Sequence, residues 1–196
     1  MNEVSPSGSL LTVTSLRLVR GGVDLLSDIS LSVRPGELIR LTGPNGSGKT
    51  SLLKVLAGLD APDEGTVERS STTAYLGHAN GLDPEARLGE ELRFWTGGDG
   101  EAVPDFGMSP LKHHVVGRLS QGQQRRAALW CLAAKRAELW LMDEPDAALD
   151  AASARILSDV LAAHLDGGGA AIVASHGALL AERGERLDLG GQDRRR

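Results

Sequence analysis

One cysteine in 196 residues, Cys131, excludes a disulfide framework within the chain and points to a reducing compartment. It lies in a stretch of helical apolar spacing, where a lone thiol behaves as a small buried hydrophobe. No apolar run approaches the roughly eighteen residues of a membrane-spanning helix. An excess of positive charge is missing too. The formal net charge is −5, which leaves no broad basic face for nucleic acid. Residues Met1–Ser9 lack an apolar signal core and are expected to form a loose tail, as is Gly190–Arg196. The hydrophobic fraction of 41% is that of an ordinary globular protein, and the length suits one domain with a small subdomain.

What the chain does have is a glycine-rich stretch, Gly43-Pro44-Asn45-Gly46-Ser47-Gly48-Lys49-Thr50, that fits G-x-x-x-x-G-K-[ST]. The apolar run Leu38–Leu41 before it reads as a buried strand. Thr50–Ala57 after it has helical apolar spacing, with Gly58 as a stop. Strand, glycine loop and helix in this order let backbone N–H groups converge on phosphate oxygens at the positive end of a helix dipole. The pattern assigns Lys49 to the β- and γ-phosphates and the Thr50 hydroxyl to Mg²⁺, with Ser51 next in the phosphate-binding set.

Around this unit the patterning changes three times. Leu10–Val13, Leu16–Val19 and Ile29–Val33 alternate apolar and polar residues, as half-buried antiparallel strands do, with turns at Gly21-Gly22 and Pro35-Gly36. Thr66–Arg69 and Ala74–Leu76 continue as strands. From about Asn80 to Gly117 no strand pattern persists. Leu88–Trp95 reads as a helix, and the stretch through the helix Gln123–Lys135 is expected to be a helical insertion spanning about 80–135. The last third alternates strand and helix: Leu139–Met142, Ala151–Leu165, Ala170–Ala174, a short helix Gly177–Glu182, and Arg186–Leu189. The expected fold is therefore α/β: a mostly parallel sheet flanked by helices, with an antiparallel β subdomain and a small helical subdomain, in one domain over 10–189.

Three further stretches carry chemistry. The strand Leu139–Met142 ends in Asp143-Glu144-Pro145. Alternation along a strand sends adjacent carboxylates two ways, Asp143 to a metal and Glu144 to the attacking water. Ser120, in Leu119-Ser120-Gln121-Gly122-Gln123, is placed to cap the helix that starts near Gln123, with its hydroxyl and the loop N–H groups available to an anion. His176 closes the C-terminal end of Ala170–Ala174, the edge where open α/β sheets place ligands, and suits a γ-phosphate contact.

Taken in order, Gly43–Thr50, Leu119–Gln123, Leu139–Glu144, Ala147–Asp150 and His176 resemble the nucleotide-binding domains of ABC transporters, from about Leu10 to Leu189. They correspond to Walker A, signature, Walker B, D-loop and H-loop. The signature is the most specific of them and departs from the usual pattern at Gln121, where glycine is customary. The resemblance implies a head-to-tail homodimer that binds ATP and Mg²⁺. Each ATP lies between one subunit's P-loop and the other's Ser120–Gln123, with Asp150 in the D-loop. Two departures stand out. The stretch that would stack an aromatic ring on adenine has none, leaving Arg20 to offer its guanidinium. The customary glutamine after Ala74–Leu76 is absent, and His78 is the candidate for its place.

Seventy positions separate Thr50 from Ser120, a short interval for this family. With Gly77-His78, Leu119–Arg126 and Ala137–Pro145, the chain resembles the heme-exporter ATP-binding subunits of cytochrome c biogenesis. That likeness implies a peripheral subunit on the cytoplasmic face of the bacterial inner membrane, partnered by integral membrane permease subunits. It implies no nucleic acid partner and no heme on this subunit, so His78, His113, His114 and His176 are not read as heme ligands. Another cargo, a soluble ABC ATPase acting on DNA or ribosomes, and a nucleotide sensor without hydrolysis are the competing readings. The coiled coils, zinc modules or paired ATPase domains of the soluble class are not present, and Lys49, Asp143, Glu144 and His176 speak against a mere sensor.

Overall fold

The computed structural model describes residues 8–97, 104–175, 179 and 182–190. It begins with a hairpin of β1 (Leu11–Arg20) and β2 (Val23–Val33). The two halves of β1 read from the sequence as separate strands because their buried residues are out of phase: Leu11 and Val13, then Leu16 and Leu18. One extra residue resolves the conflict. Ser15 takes φ 45°, the pairing register shifts there, and the strand continues with its other set of side chains inward. β2 starts at Val23 rather than Ile29, because Gly21 and Gly22 both adopt positive φ and pair Arg20 with Val23 across a two-residue turn. β4 (Glu64–Arg69) adds antiparallel to β1, giving the sheet order β2-β1-β4.

The second sheet is parallel throughout. Its strands are β3 (Leu38–Thr42), β5 (Thr73–Leu76), β6 (Leu139–Asp143), β7 (Ala170–Ala174) and β8 (Glu185–Asp188), in the order β5-β6-β7-β3-β8. β6 and β7 are buried along their whole length, so they read as unbroken apolar runs rather than alternating ones. Their side chains nonetheless divide by parity. Leu139, Leu141, Ala170 and Ile172 join Ile39 and Leu41 in a core shared with the first sheet and with α1 (Lys49–Leu56). Trp140, Met142, Ala171 and Val173 enter the opposite core with α3 (Gln121–Ala134) and α4 (Ala151–Asp166). Trp140 stacks on His164 of α4 with ring centroids 3.8 Å apart.

The middle segment contains α2 (Leu88–Thr96), packed on α3, and two 3₁₀ turns at Ser109–Leu111 and Val116–Arg118. Leu88, Leu92, Phe106, Met108 and Val116 extend the α3 core into this region. Helix α3 starts at Gln121, two residues before the expected Gln123, because Ser120 is its N-cap and Gln123 the third residue of its first turn. Cys131 lies in that helix, buried, and desolvation pushes its thiol up to about 12, which makes it inert. Most of the expected helix Gly177–Glu182 lies outside the described residues.

Candidate active site

β3 delivers the chain into the glycine loop, and α1 takes it away. Gly43 has φ 138°, and a Cβ there would stand 2.8 Å from Ser47 Oγ. The crest Pro44-Asn45-Gly46 is exposed, while Ser47, Gly48 and Lys49 are buried. Lys49 turns back over the loop, its Nζ donating to the carbonyls of Gly43 (2.8 Å) and Pro44 (3.1 Å). The Ser47 hydroxyl is buried with no hydrogen-bond partner. Gly48, in the N-cap position of α1, supplies no side-chain cap. A buried orphan hydroxyl, an inward-turned ammonium and an uncapped helix start make a cradle suited to phosphate.

The acidic pair meets this loop from β6. The Thr50 hydroxyl donates to Asp143 Oδ2 at 2.7 Å, and Asp143 is buried at the end of the strand. Strand alternation does not govern Glu144, as the sequence reading had it. Glu144 has left the strand with φ 48°, and its N–H donates to Ala174 O at 2.7 Å, joining the ends of β6 and β7. Ser175 donates to both carboxylate oxygens of Asp146, at 2.7 and 2.9 Å, which fastens the exit of β7 to the same loop. Lys49, Thr50, Asp143 and Glu144 thus converge at the C-terminal edge of the parallel sheet. Ser51 follows on α1. His176 lies outside the described residues.

Ser120 and Gln123 form a reciprocal cap. Gln123 N–H donates to Ser120 Oγ (3.3 Å), and Ser120 N–H to Gln123 Oε1 (2.9 Å). A Cβ on Gly122 would lie 3.0 Å from Ala148 O, so the first turn of α3 abuts the Ala147–Asp150 loop. Gln121 and His78 both line a cavity of about 530 Å³ beside that loop. Asp150 caps α4 by accepting from Ser153 N–H at 2.7 Å, and this bond holds its carboxyl below the usual range. Arg20, in the β1–β2 hairpin, is exposed and lies 3.6 Å from both Asp60 and Asp63.

One residue of this region escaped the sequence reading. Arg125 is buried on α3, and its guanidinium donates to Gly77 O, Asn80 Oδ1, Asp143 O, Glu144 O and Pro145 O. Desolvation lowers its pKa, opposed by the nearby charges of Asp143, Asp146 and Glu144. A signal was available, since Arg125 shares a helical stripe with buried Leu129 and Leu132.

The family model for "ABC transporter" matches residues 26–147. The "Cytochrome c biogenesis ATP-binding export protein CcmA" of Cupriavidus necator is 44% identical over 200 residues, covering 91% of this chain and 88% of that protein. A solved ATP-binding subunit of an ABC transporter superposes with a TM-score of 0.83 at 22% identity, over 93% of this chain and 86% of the other. A dimeric ATP-binding cassette in a post-hydrolysis state, bound to ADP and Pi, gives 0.80 at 22% identity, over 95% and 97%. The two structures speak for the fold, a P-loop NTPase core with an antiparallel sheet, and the family model and the relative for kinship. The chain belongs to the ABC transporter family, and within it to the CcmA-type ATP-binding subunits.

Proposed function

We propose that this chain is the ATP-hydrolysing subunit of a membrane complex that delivers heme for c-type cytochrome maturation. The observation that carries the hydrolytic half is the Thr50–Asp143 contact at 2.7 Å beside the buried Lys49. The cytochrome c role rests on the name of the 44%-identical relative, a cytochrome c biogenesis ATP-binding export protein, and heme as the cargo on the resemblance carried by Gly77-His78, Leu119–Arg126 and Ala137–Pro145. Residues 10–189 act as one ATP-binding domain, with the helical subdomain over about 80–135.

In this reading Lys49, the orphan Ser47 hydroxyl and the backbone of Gly43–Ser51 hold the β- and γ-phosphates. The Thr50 hydroxyl and the Asp143 carboxylate are hard oxygen donors fit for Mg²⁺. If Mg²⁺ binds, these two residues would hold it, with phosphate oxygens and water as its other ligands. Mg²⁺, when bound, neutralises charge on the phosphate oxygens. Glu144 accepts a proton from the attacking water as its oxygen adds to the γ-phosphorus and the bond to the ADP oxygen breaks. His176 contacts the γ-phosphate. Arg20 lies against the adenine.

A homodimer completes the site, with Ser120–Gln123 of a second copy closing over the nucleotide and Asp150 at the same seam. The dimeric cassette of similar fold supports this arrangement. His78 takes the place of the customary glutamine toward the integral membrane permease subunits. The subunit is peripheral, on the cytoplasmic face of the bacterial inner membrane. No helix among the described residues is long and apolar enough to cross it. The test is a pull-down from native membranes with tagged Glu144→Gln protein and ATP. Recovery of cytochrome c maturation membrane subunits with a heme-loaded chaperone supports the cargo. Recovery of a different permease leaves the ATPase and discards heme. DNA or ribosomes without membrane protein would discard the transport role.

A further inference from the structure

Arg125 lies within Leu119–Arg126 but has no assigned role there, and all five N–H groups of its guanidinium have acceptors. None of those acceptors is a carboxylate. Nη2 donates to the carbonyls of Asp143 and Glu144, both at 2.6 Å, and Nε to that of Pro145 at 3.3 Å. Nη1 reaches the other way, to Gly77 O at 2.9 Å and Asn80 Oδ1 at 3.0 Å. The side chain therefore holds backbone, and it holds two separate segments with one rigid plane. The backbone it grips needs holding. Glu144 has φ 48°, a left-handed conformation that a non-glycine residue keeps only under outside constraint.

We infer that Arg125 is a positioning residue for hydrolysis: it locks the 77–80 loop to the backbone that aims Glu144, so that displacement of the loop displaces Glu144. The inference rests on the proposed reading of Glu144 as the base. His78 sits in the middle of the clamped loop, so an event at that exposed residue reaches the acidic pair through one guanidinium. The geometry also says what a substitute lacks. Lysine offers three donors from a point and cannot span both segments in one plane.

The test is steady-state ATP hydrolysis by the full chain with Mg²⁺, reading kcat and KM separately, with the melting temperature of each variant. Arg125→Lys is expected to lower kcat about tenfold or more with KM for ATP within about twofold. Asn80→Ala removes one acceptor and leaves the carbonyl contacts, so kcat is expected to fall about threefold at unchanged KM and melting temperature. Asn80→Asp keeps an acceptor oxygen and is expected to restore kcat. Should Arg125→Lys fail to fold, the Asn80 pair decides. Folded variants with parental kcat, a change confined to KM, or no rescue by Asn80→Asp would overturn the inference. If Glu144→Gln abolishes turnover while the Asn80 variants keep theirs, only this inference falls. If turnover by the parent does not depend on Glu144, the reading of Glu144 falls and this inference with it.

Discussion

Replacing Ser120 by Asp separates the capping of α3 from the phosphate contact proposed for the same hydroxyl. In the folded chain Ser120 Oγ accepts from Gln123 N–H at 3.3 Å, a long bond. Losing a cap costs about 0.5–2 kcal/mol, and a bond of this length belongs at the lower end. For a domain of this size, Ser120→Ala should lower the melting temperature by about 1–2 °C. Asp caps as well as Ser and adds a negative charge at the positive end of the helix, worth about 0.3–1 kcal/mol. Ser120→Asp should therefore melt no lower than the parent.

In a closed dimer the same change acts in the opposite direction. A carboxylate about 4 Å from a phosphate charge, at an effective dielectric near 20, is repelled by about 4 kcal/mol. That converts to roughly a 10³-fold higher ATP requirement for dimer closure. The assay is calorimetric melting of the single variants, together with sedimentation of each in a Glu144→Gln background across an ATP titration. A Ser120→Asp protein that dimerises at the parental ATP concentration would reduce Ser120 to a helix cap. The head-to-tail arrangement would then need another contact.

Glu144→Gln keeps the shape of the side chain and removes its basicity, so turnover should drop by about 10²–10⁴ while equilibrium ATP binding stays within twofold or so; equal loss of both, measured by rapid quench and by fluorescent nucleotide titration, would remove Glu144 from proton transfer. Leu141 is fully buried in the interior strand β6, and Leu141→Ala should cost about 2–5 kcal/mol in urea unfolding. His164 is half-buried between Trp140 and Gly169, and desolvation lowers its pKa below the ordinary 6.5. Between 6.5 and the lower folded value the unfolded chain holds a proton that the folded chain does not, so stability falls as pH falls through that window. His164→Phe should flatten this slope in pH-dependent unfolding, and an unchanged slope would place the effect elsewhere.

The parts legible in the sequence are those where local chemistry and tertiary need coincide. Leu139–Met142 had to be a buried strand because nothing polar interrupts it, and the structure buries it on both faces. Ser120 announced itself as a cap by hydroxyl chemistry alone. The misreadings have a common cause. A bulge at Ser15 reverses the phase of β1, and a left-handed turn at Glu144 breaks strand alternation. Each is a single backbone torsion that a period-two reading cannot see, since periodicity counts residues and not their handedness.

Arg125 was hidden for a different reason. Motif reading searches for side chains that face the ligand, whereas this guanidinium faces five oxygen acceptors, four of them backbone carbonyls. Carbonyl partners leave no residue-type signature, because every position has one. What remains visible is an anomaly of burial: a charged residue on the stripe that Leu129 and Leu132 define as inward. A charge on such a stripe must find several acceptors or destabilise the fold, and in this chain Arg125 finds them on the backbone of the acidic pair and on the 77–80 loop. The apolar face of α3 thus becomes informative at the one position where it is not apolar.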